Sequence, residues 1–214
     1  MSRDQGAARR ELKDRLLEAA LQHAAFEGWG DRTLEAAARD LGMDAAQARR
    51  LFPAGGSSLL AWLEDWADRR MLEEVAGEDL SRLPLRRRIA RLVRARFQAL
   101  APHREALRRA AAARLLPHHL PEGLKALWRT VDRIWSTAGL GDPGEGAAFY
   151  SRRLMLAAIL LATFLYWLED DSESFHASWS FLDRRIEDAL TLGRWTAGLG
   201  GWMPFGRRPH RTSP

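Results

Sequence analysis

The run from Leu154 to Leu168 constrains this chain more than any other stretch, because only Thr163 and the hydroxyl of Tyr166 break its apolar character. A helix that is apolar all round is buried in a core, lies in a membrane or lines an apolar cavity. A spanning helix needs about 20 apolar residues. This run has 15, closed by Arg152 and Arg153 before it and by Glu169, Asp170 and Asp171 after it. It reads as a buried helix of a soluble protein. From composition alone, an ordinary core, a dimer seam and an apolar cavity all remain open.

Elsewhere Ala, Leu, Arg and Glu dominate, and no short alternating runs are bounded by turn residues, so the chain is expected to be all-α. Helices are expected at about 8–27, 34–41, 44–52, 57–71, 85–101, 103–114, 122–137, 147–168 and 172–191. Gly28 and Gly30 end the first of these. Asp44 stands where an N-cap belongs. Pro84 can open a helix, and Pro102, Pro117 and Pro121 interrupt the middle of the chain. Asp170 and Glu173 have capping-box spacing. With 214 residues and 46% hydrophobic content, one core is expected, organised as an N-terminal part over 8–71, a helical bundle over 72–192 and a tail over 193–214.

Charge sets the tail apart. After Asp188 no acid remains, while Arg194, Arg207, Arg208 and Arg211 follow. Trp195, Leu199 and Trp202 share an i, i+4, i+7 spacing, with Met203 and Phe205 beyond them. Gly198, Gly200 and Gly201 would each weaken an isolated helix by about 1 kcal/mol. Aromatic rings suit the headgroup level and arginines meet anionic phosphate. Trp195, Leu199, Trp202, Met203, Phe205, Arg207 and Arg208 are therefore expected to bind a membrane surface carrying anionic lipids. The opening MSRDQGAARRELKDR has no apolar signal core, and its acids argue against a transit peptide. The expected location is the bacterial cytoplasm, peripheral on the cytoplasmic face of the inner membrane.

Catalytic signals are weak. No Walker A, Gly-x-Gly-x-x-Gly or Gly-x-Ser-x-Gly pattern occurs, and the absence of cysteine excludes thiolate chemistry. The side chains of adjacent His118 and His119 diverge, a poor chelate. Glu173 and His176 form a single Glu-x-x-His, whereas a di-iron bundle needs two plus further glutamates. Neither an enzyme nor a metal or cofactor is expected.

Residues 34–52, LEAAARDLGMDAAQARRLF, resemble the helix-turn-helix of TetR-type regulators. Leu34, Ala38, Leu41, Leu51 and Phe52 supply the inward face. The would-be reading helix offers Ala45, Ala46, Gln47 and Ala48, of which only Gln47 has a group that pairs with adenine. DNA is therefore not the expected partner.

Three segments carry a second resemblance: LLEAALQHAAFEGWGDRTLEAAARDLGMDAAQARRLFP, LLPHHLPEGLKALWRTVDRIWSTAG, and FYSRRLMLAAILLATFLYWLEDDS followed by WSFLDRRIEDAL. Together they make the chain similar to the coenzyme Q (ubiquinone) biosynthesis accessory proteins, lipid binders with a TetR-like fold. The resemblance implies a TetR-like helical bundle that holds an isoprenoid quinone precursor in an apolar cavity and presents it to a di-iron hydroxylase. It places Met155, Ile159, Leu160, Phe164 and Trp167 near the lipid. It places the hydroxylase-binding patch at Asp132, Ile134, Trp135, Phe149, Tyr150 and Arg153. Head-group donors are expected at the cavity mouth, with Tyr150, Arg152, Arg153 and Asp132 as candidates. A homodimer through the last two helices is expected, with Trp179, Phe181 and Ile186 serving that seam or the core. The alternative reading is a TetR-type transcriptional regulator that responds to an apolar ligand.

Overall fold

The computed structural model describes residues 3–114, 120–140 and 147–199. The described residues form nine α-helices: α1 (Arg3–Glu27), α2 (Asp31–Asp40), α3 (Ala45–Leu51), α4 (Gly56–Val75), α5 (Leu85–Leu100), α6 (Arg104–Arg114), α7 (Leu120–Thr137), α8 (Ala147–Leu168) and α9 (His176–Leu199). Among the described residues there is no strand. His118 and His119, and the chain from residue 200 on, lie outside the described residues. So do the side chains of Phe149 and of 192–199.

One apolar cluster runs through the whole fold. It begins with Leu16, Leu17, Ala20, Leu21 and Ala24 on α1 and reaches Leu182 and Ile186 on α9. The expected boundary at residue 71 falls inside α4, whose Leu59, Leu63, Trp66, Ala67, Met71 and Val75 all face this core. Helices α1, α2 and α3 form the helix-turn-helix-like part, and α4 links it to α5 and α7. α8 lies between α7 and α9. Gly56 sets the first joint: a Cβ there would stand 2.2 Å from the Trp29 carbonyl oxygen.

The helix ends differ from expectation in instructive ways. Asp44 occupies the N-cap of α3 but makes no side-chain cap hydrogen bond. Gly30 belongs to the start of α2, not to the end of α1. The capping box of Asp170 and Glu173 does not form, because Ser174 and Phe175 take positive φ values of 51° and 59° and turn the chain before α9 begins. Ser172 caps α9 instead, its Oγ accepting from the Ala177 N–H at 3.0 Å.

Asp170 does other work at this corner. Its carboxylate accepts from the Ser172 N–H at 2.9 Å and from the Ser178 N–H at 2.8 Å. The Ser178 hydroxyl donates to it as well. Burial works against the charge, but the hydrogen bonds from Ser172 and Ser178 win and hold its pKa down, at about 2. A depressed carboxylate pKa contributes stability above the unfolded value of 3.8, and that contribution is lost as pH falls toward 2. Asp170→Asn is expected to cost about 2 kcal/mol at pH 7. Thermal melts between pH 7 and pH 2.5 should show the gap from the parent closing below pH 4. A gap that stays constant would mean that shape, not charge, is what asparagine loses.

α8 is not apolar on a buried surface all round. Leu156, Ala157, Leu160, Thr163, Trp167 and Leu168 face the core, while Tyr150, Leu154, Leu161, Leu165 and Tyr166 are exposed. Tyr150–Leu168 is long and apolar enough to cross a membrane by length and composition, yet 44% of it is buried. Arg153 and Trp167 fasten its inner face to the bundle, so α8 is a core helix with one bare apolar side. Its C-terminal end is clamped from α6. Arg104 donates to the Leu168 carbonyl at 2.8 Å, and Arg108 donates twice, at 3.0 and 2.7 Å. Two cations thus meet the negative end of the helix dipole.

Candidate functional site

The bare side of α8 and the facing side of α7 enclose an apolar groove of about 270 Å³. Its rim is Leu124 on α7 with Leu161 and Leu165 on α8, which are 57%, 50% and 52% exposed. Its floor is Phe97, Leu160 and Thr130, all buried. Leu127 and Phe164 form the walls. Phe164 also borders a second pocket of about 50 Å³, lined by Leu63, Ala67, Leu100, Leu107 and Ala110. Two charged residues, Glu64 and Arg96, border both spaces.

Those two belong to a buried ionic junction of α4, α5 and α7. Arg96, 7% exposed, donates Nε to Asp68 at 2.8 Å and Nη2 to Glu64. Asp68, 2% exposed, also accepts from the Thr130 hydroxyl at 2.9 Å and from Arg133 Nη1 at 3.1 Å. Arg133 reaches on to Asp65 at 2.7 Å, and Asp65 and Asp14 share Arg69. Burial opposes the Arg96 charge, and Glu64 and Asp68 outweigh it, raising its pKa above the ordinary arginine value. Burial likewise opposes the Asp65 charge, and hydrogen bonds from Arg133 and Arg69 bring its pKa below the usual carboxylate value.

Of the residues expected near a lipid, Leu160 and Phe164 line the groove. Met155 and Ile159 are half-buried and are not among its lining residues. Trp167 is fully buried behind it, with ring centroids 5.4 Å from Phe97, 6.2 Å from Phe164 and 5.6 Å from Phe175. Sequence reasoning missed Phe97, Leu124, Leu127, Leu161 and Leu165. The spacing of Leu124, Leu127 and Val131 was a usable signal for α7. Nothing local marked Glu64 or Arg96.

The expected partner patch is partly brought together. Arg153, 4% exposed, donates to Asp132 at 2.6 Å, and its guanidinium lies 5.1 Å over the Trp135 ring. Ile134 is fully buried and Trp135 nearly so, which makes both core residues beneath that pair. Tyr150 is exposed and stacks on Trp128 at 6.2 Å, a partner that the sequence reading did not name. At the would-be dimer seam Ile186 is core, while Phe181 stacks on Tyr166 at 4.8 Å.

The helix-turn-helix-like part offers little to nucleic acid. Arg49 is held by Glu35 at 2.9 Å and by Asp31 at 3.3 Å, and its hydrogen bond to Glu35 raises its pKa first of all. Glu173 and His176 gather no third ligand: among the described residues no group of three His, Asp or Glu could hold a metal ion.

The COQ9 family model matches residues 120–193, the stretch that holds α7 and α8 and the face of the groove they form. The chain is 33% identical over 190 residues to "Ubiquinone biosynthesis protein COQ9, mitochondrial" of Xenopus tropicalis, covering 86% of this chain and 59% of that protein. It is 32% identical over 191 residues to the human protein of the same name, with the same coverage. The chain thus spans about three fifths of the length of these relatives. Among solved structures it resembles a TetR transcriptional regulator from Nitrosomonas europaea ATCC 19718. The TM-score is 0.70 at 25% identity, over 85% of this chain and 99% of that one.

The expected bacterial cytoplasmic location is corrected by these relatives, which are named as mitochondrial from frog and human to Schizosaccharomyces pombe. Acids among the first residues describe that segment only and do not fix a compartment. By residues 120–193, and by its relatives along most of its length, the chain is similar to the COQ9 proteins of ubiquinone biosynthesis, and its fold is all-α and TetR-like.

Proposed function

We propose that this chain acts in ubiquinone biosynthesis as a carrier, not a catalyst. It holds an isoprenoid quinone precursor in the groove between α7 and α8 and presents it to a di-iron hydroxylase at a membrane surface. The observation that carries the reading is the groove itself: exposed leucines form its rim within the segment that matches the COQ9 family. Exposed leucines on a rim are costly in water, and each buried methylene of a ligand contributes about 0.8 kcal/mol. Such a site grips a prenyl chain without a polar code.

In this reading the Trp128–Tyr150 stack and the adjoining Asp132–Arg153 pair face the hydroxylase. The aromatic and basic residues from Trp195 onward meet anionic lipid, and the chain works as a homodimer. The regulator alternative is weaker, because Arg49 on the would-be reading helix is spent on Asp31 and Glu35.

The test joins a pathway readout to the groove. A strain lacking the protein should lose ubiquinone and accumulate a late precursor that has not been hydroxylated, seen by mass spectrometry of lipid extracts. Wild-type protein should restore the profile. Leu161→Arg with Leu165→Arg changes exposed positions, so the fold should survive, while lipid uptake from liposomes should fall about tenfold. A normal quinone profile in the deletion strain would remove the pathway. Undiminished uptake by the double variant would remove the groove.

A further inference from the structure

One donor bordering the floor of the groove has no partner among the described residues. Arg96 spends Nε on Asp68 and Nη2 on Glu64. Among the described residues its Nη1 makes no hydrogen bond, and it is not one of the sealed, unsatisfied nitrogens such as Trp167 Nε1. Nη1 therefore keeps accessible surface, and Arg96 is one of the residues that line the groove. A guanidinium fork fixed on two sides by carboxylates cannot swing away, so its free nitrogen is pre-aimed.

We infer that Arg96 Nη1 is the head-group donor of this site. A ring oxygen of the ligand accepts from it, with the ligand inserted polar end first and its prenyl chain leaving over Leu124, Leu161 and Leu165. This rests on the lipid reading of the groove and adds the orientation and the polar contact. Three observations set the direction. The interior, about 270 Å³, stands near the lower limit of ligand pockets, which run from about 300 Å³ upward, so a long prenyl chain must lie mostly outside it. The apolar surface that can receive such a chain lies at the exposed rim and continues along Leu154 of α8. A hydrocarbon chain at the floor would strand a cationic N–H against methylenes, whereas a carbonyl or phenol oxygen satisfies it.

Of the donors expected at the mouth, Arg153 is already engaged, held on Asp132 and over Trp135. The floor thus distinguishes a quinone or phenol ring from a bare prenyl hydrocarbon, which the apolar walls alone do not.

The experiment is a competition. Full-length protein is incubated with liposomes that carry equal amounts of a ubiquinone with two isoprene units and of the same prenyl chain as a hydrocarbon without a ring. The protein is then re-isolated, and bound lipid is counted by mass spectrometry. Wild type should carry the quinone in about tenfold excess, the selectivity expected of one charge-assisted hydrogen bond. Arg96→Lys keeps the charge but replaces the fork with a compact ammonium, so quinone uptake should fall until the ratio is close to one. Should Arg96→Lys fail to fold, Arg96→Gln is read in its place, its shorter neutral amide bringing the ratio close to one in the same way. A wild-type ratio near one, or a high ratio that survives Arg96→Lys, overturns the inference and leaves the lipid reading standing. Uptake of neither probe by wild type overturns both.

Discussion

Asp68→Ala should lower the melting temperature by about 10 °C, the largest loss expected from any single polar substitution in this fold. Asp68 is a carboxylate on which α4, α5 and α7 converge. It accepts from Arg96 Nε at 2.8 Å, from the Thr130 hydroxyl at 2.9 Å and from Arg133 Nη1 at 3.1 Å. Removing it leaves Arg96 at 7% exposure with Glu64 alone, and leaves the Thr130 hydroxyl buried without its acceptor. Breaking a buried ion pair from one side costs about 3–5 kcal/mol, because the remaining charge keeps its desolvation penalty. In a chain of this size each 1 kcal/mol moves the melting temperature by about 2–4 °C. Circular dichroism melts at pH 7 read the effect directly. Asp68→Asn keeps the volume and one acceptor oxygen and should fall between the two. A melting temperature within 2–3 °C of the parent would mean that water already reaches the junction and screens it. The same substitution loosens Arg96, so lipid selectivity should fall along with stability.

The outline of the fold was legible because helix periodicity and turn residues speak locally. The run from Ala147 to Leu168 was bounded correctly at both ends by the Gly-rich stretch before it and the acids after it. The bare face was not legible. Leu161 and Leu165 are the same residue type as Leu156 and Leu160, and only the placement of α7 and α9 decides which pair is covered. The ionic junction was hidden for a related reason. Glu64, Asp68, Arg96, Thr130 and Arg133 sit on three helices, and each looks like part of a solvated face until the helices pack. The corner before α9 misled more actively. Asp170 and Glu173 have the spacing of a capping box, but the left-handed turn at Ser174 and Phe175 redirects the chain, and Asp170 bonds to Ser172 and Ser178 instead. Local spacing is a sound guide where the backbone stays regular, and it fails where two consecutive residues leave the helical region.

Trp167→Ala should cost about 3–5 kcal/mol, and its consequence reaches the groove. The indole is fully buried among Phe97, Phe164 and Phe175, with the Arg104 guanidinium 5.7 Å above the ring. Truncation removes this whole contact surface and leaves a hole that surrounding helices can close only in part. Trp167→Phe should be far milder, below about 1.5 kcal/mol. The indole Nε1 has no hydrogen-bond partner where it is buried, so phenylalanine gives up ring volume but also sheds an unsatisfied donor. Phe97 and Phe164 touch Trp167 on one side and line the groove on the other, so the hole left by alanine adjoins the ligand space. If a prenyl lipid occupies that space, it can enter the hole, and binding only the folded state it should raise the melting temperature of Trp167→Ala more than that of the parent. Melts with and without liposomes carrying a two-isoprene ubiquinone separate the cases. A larger rescue in Trp167→Ala ties the lipid to this end of the groove. An equal shift in both proteins would place the lipid away from Phe97 and Phe164, and no shift in either would leave the groove without a lipid ligand.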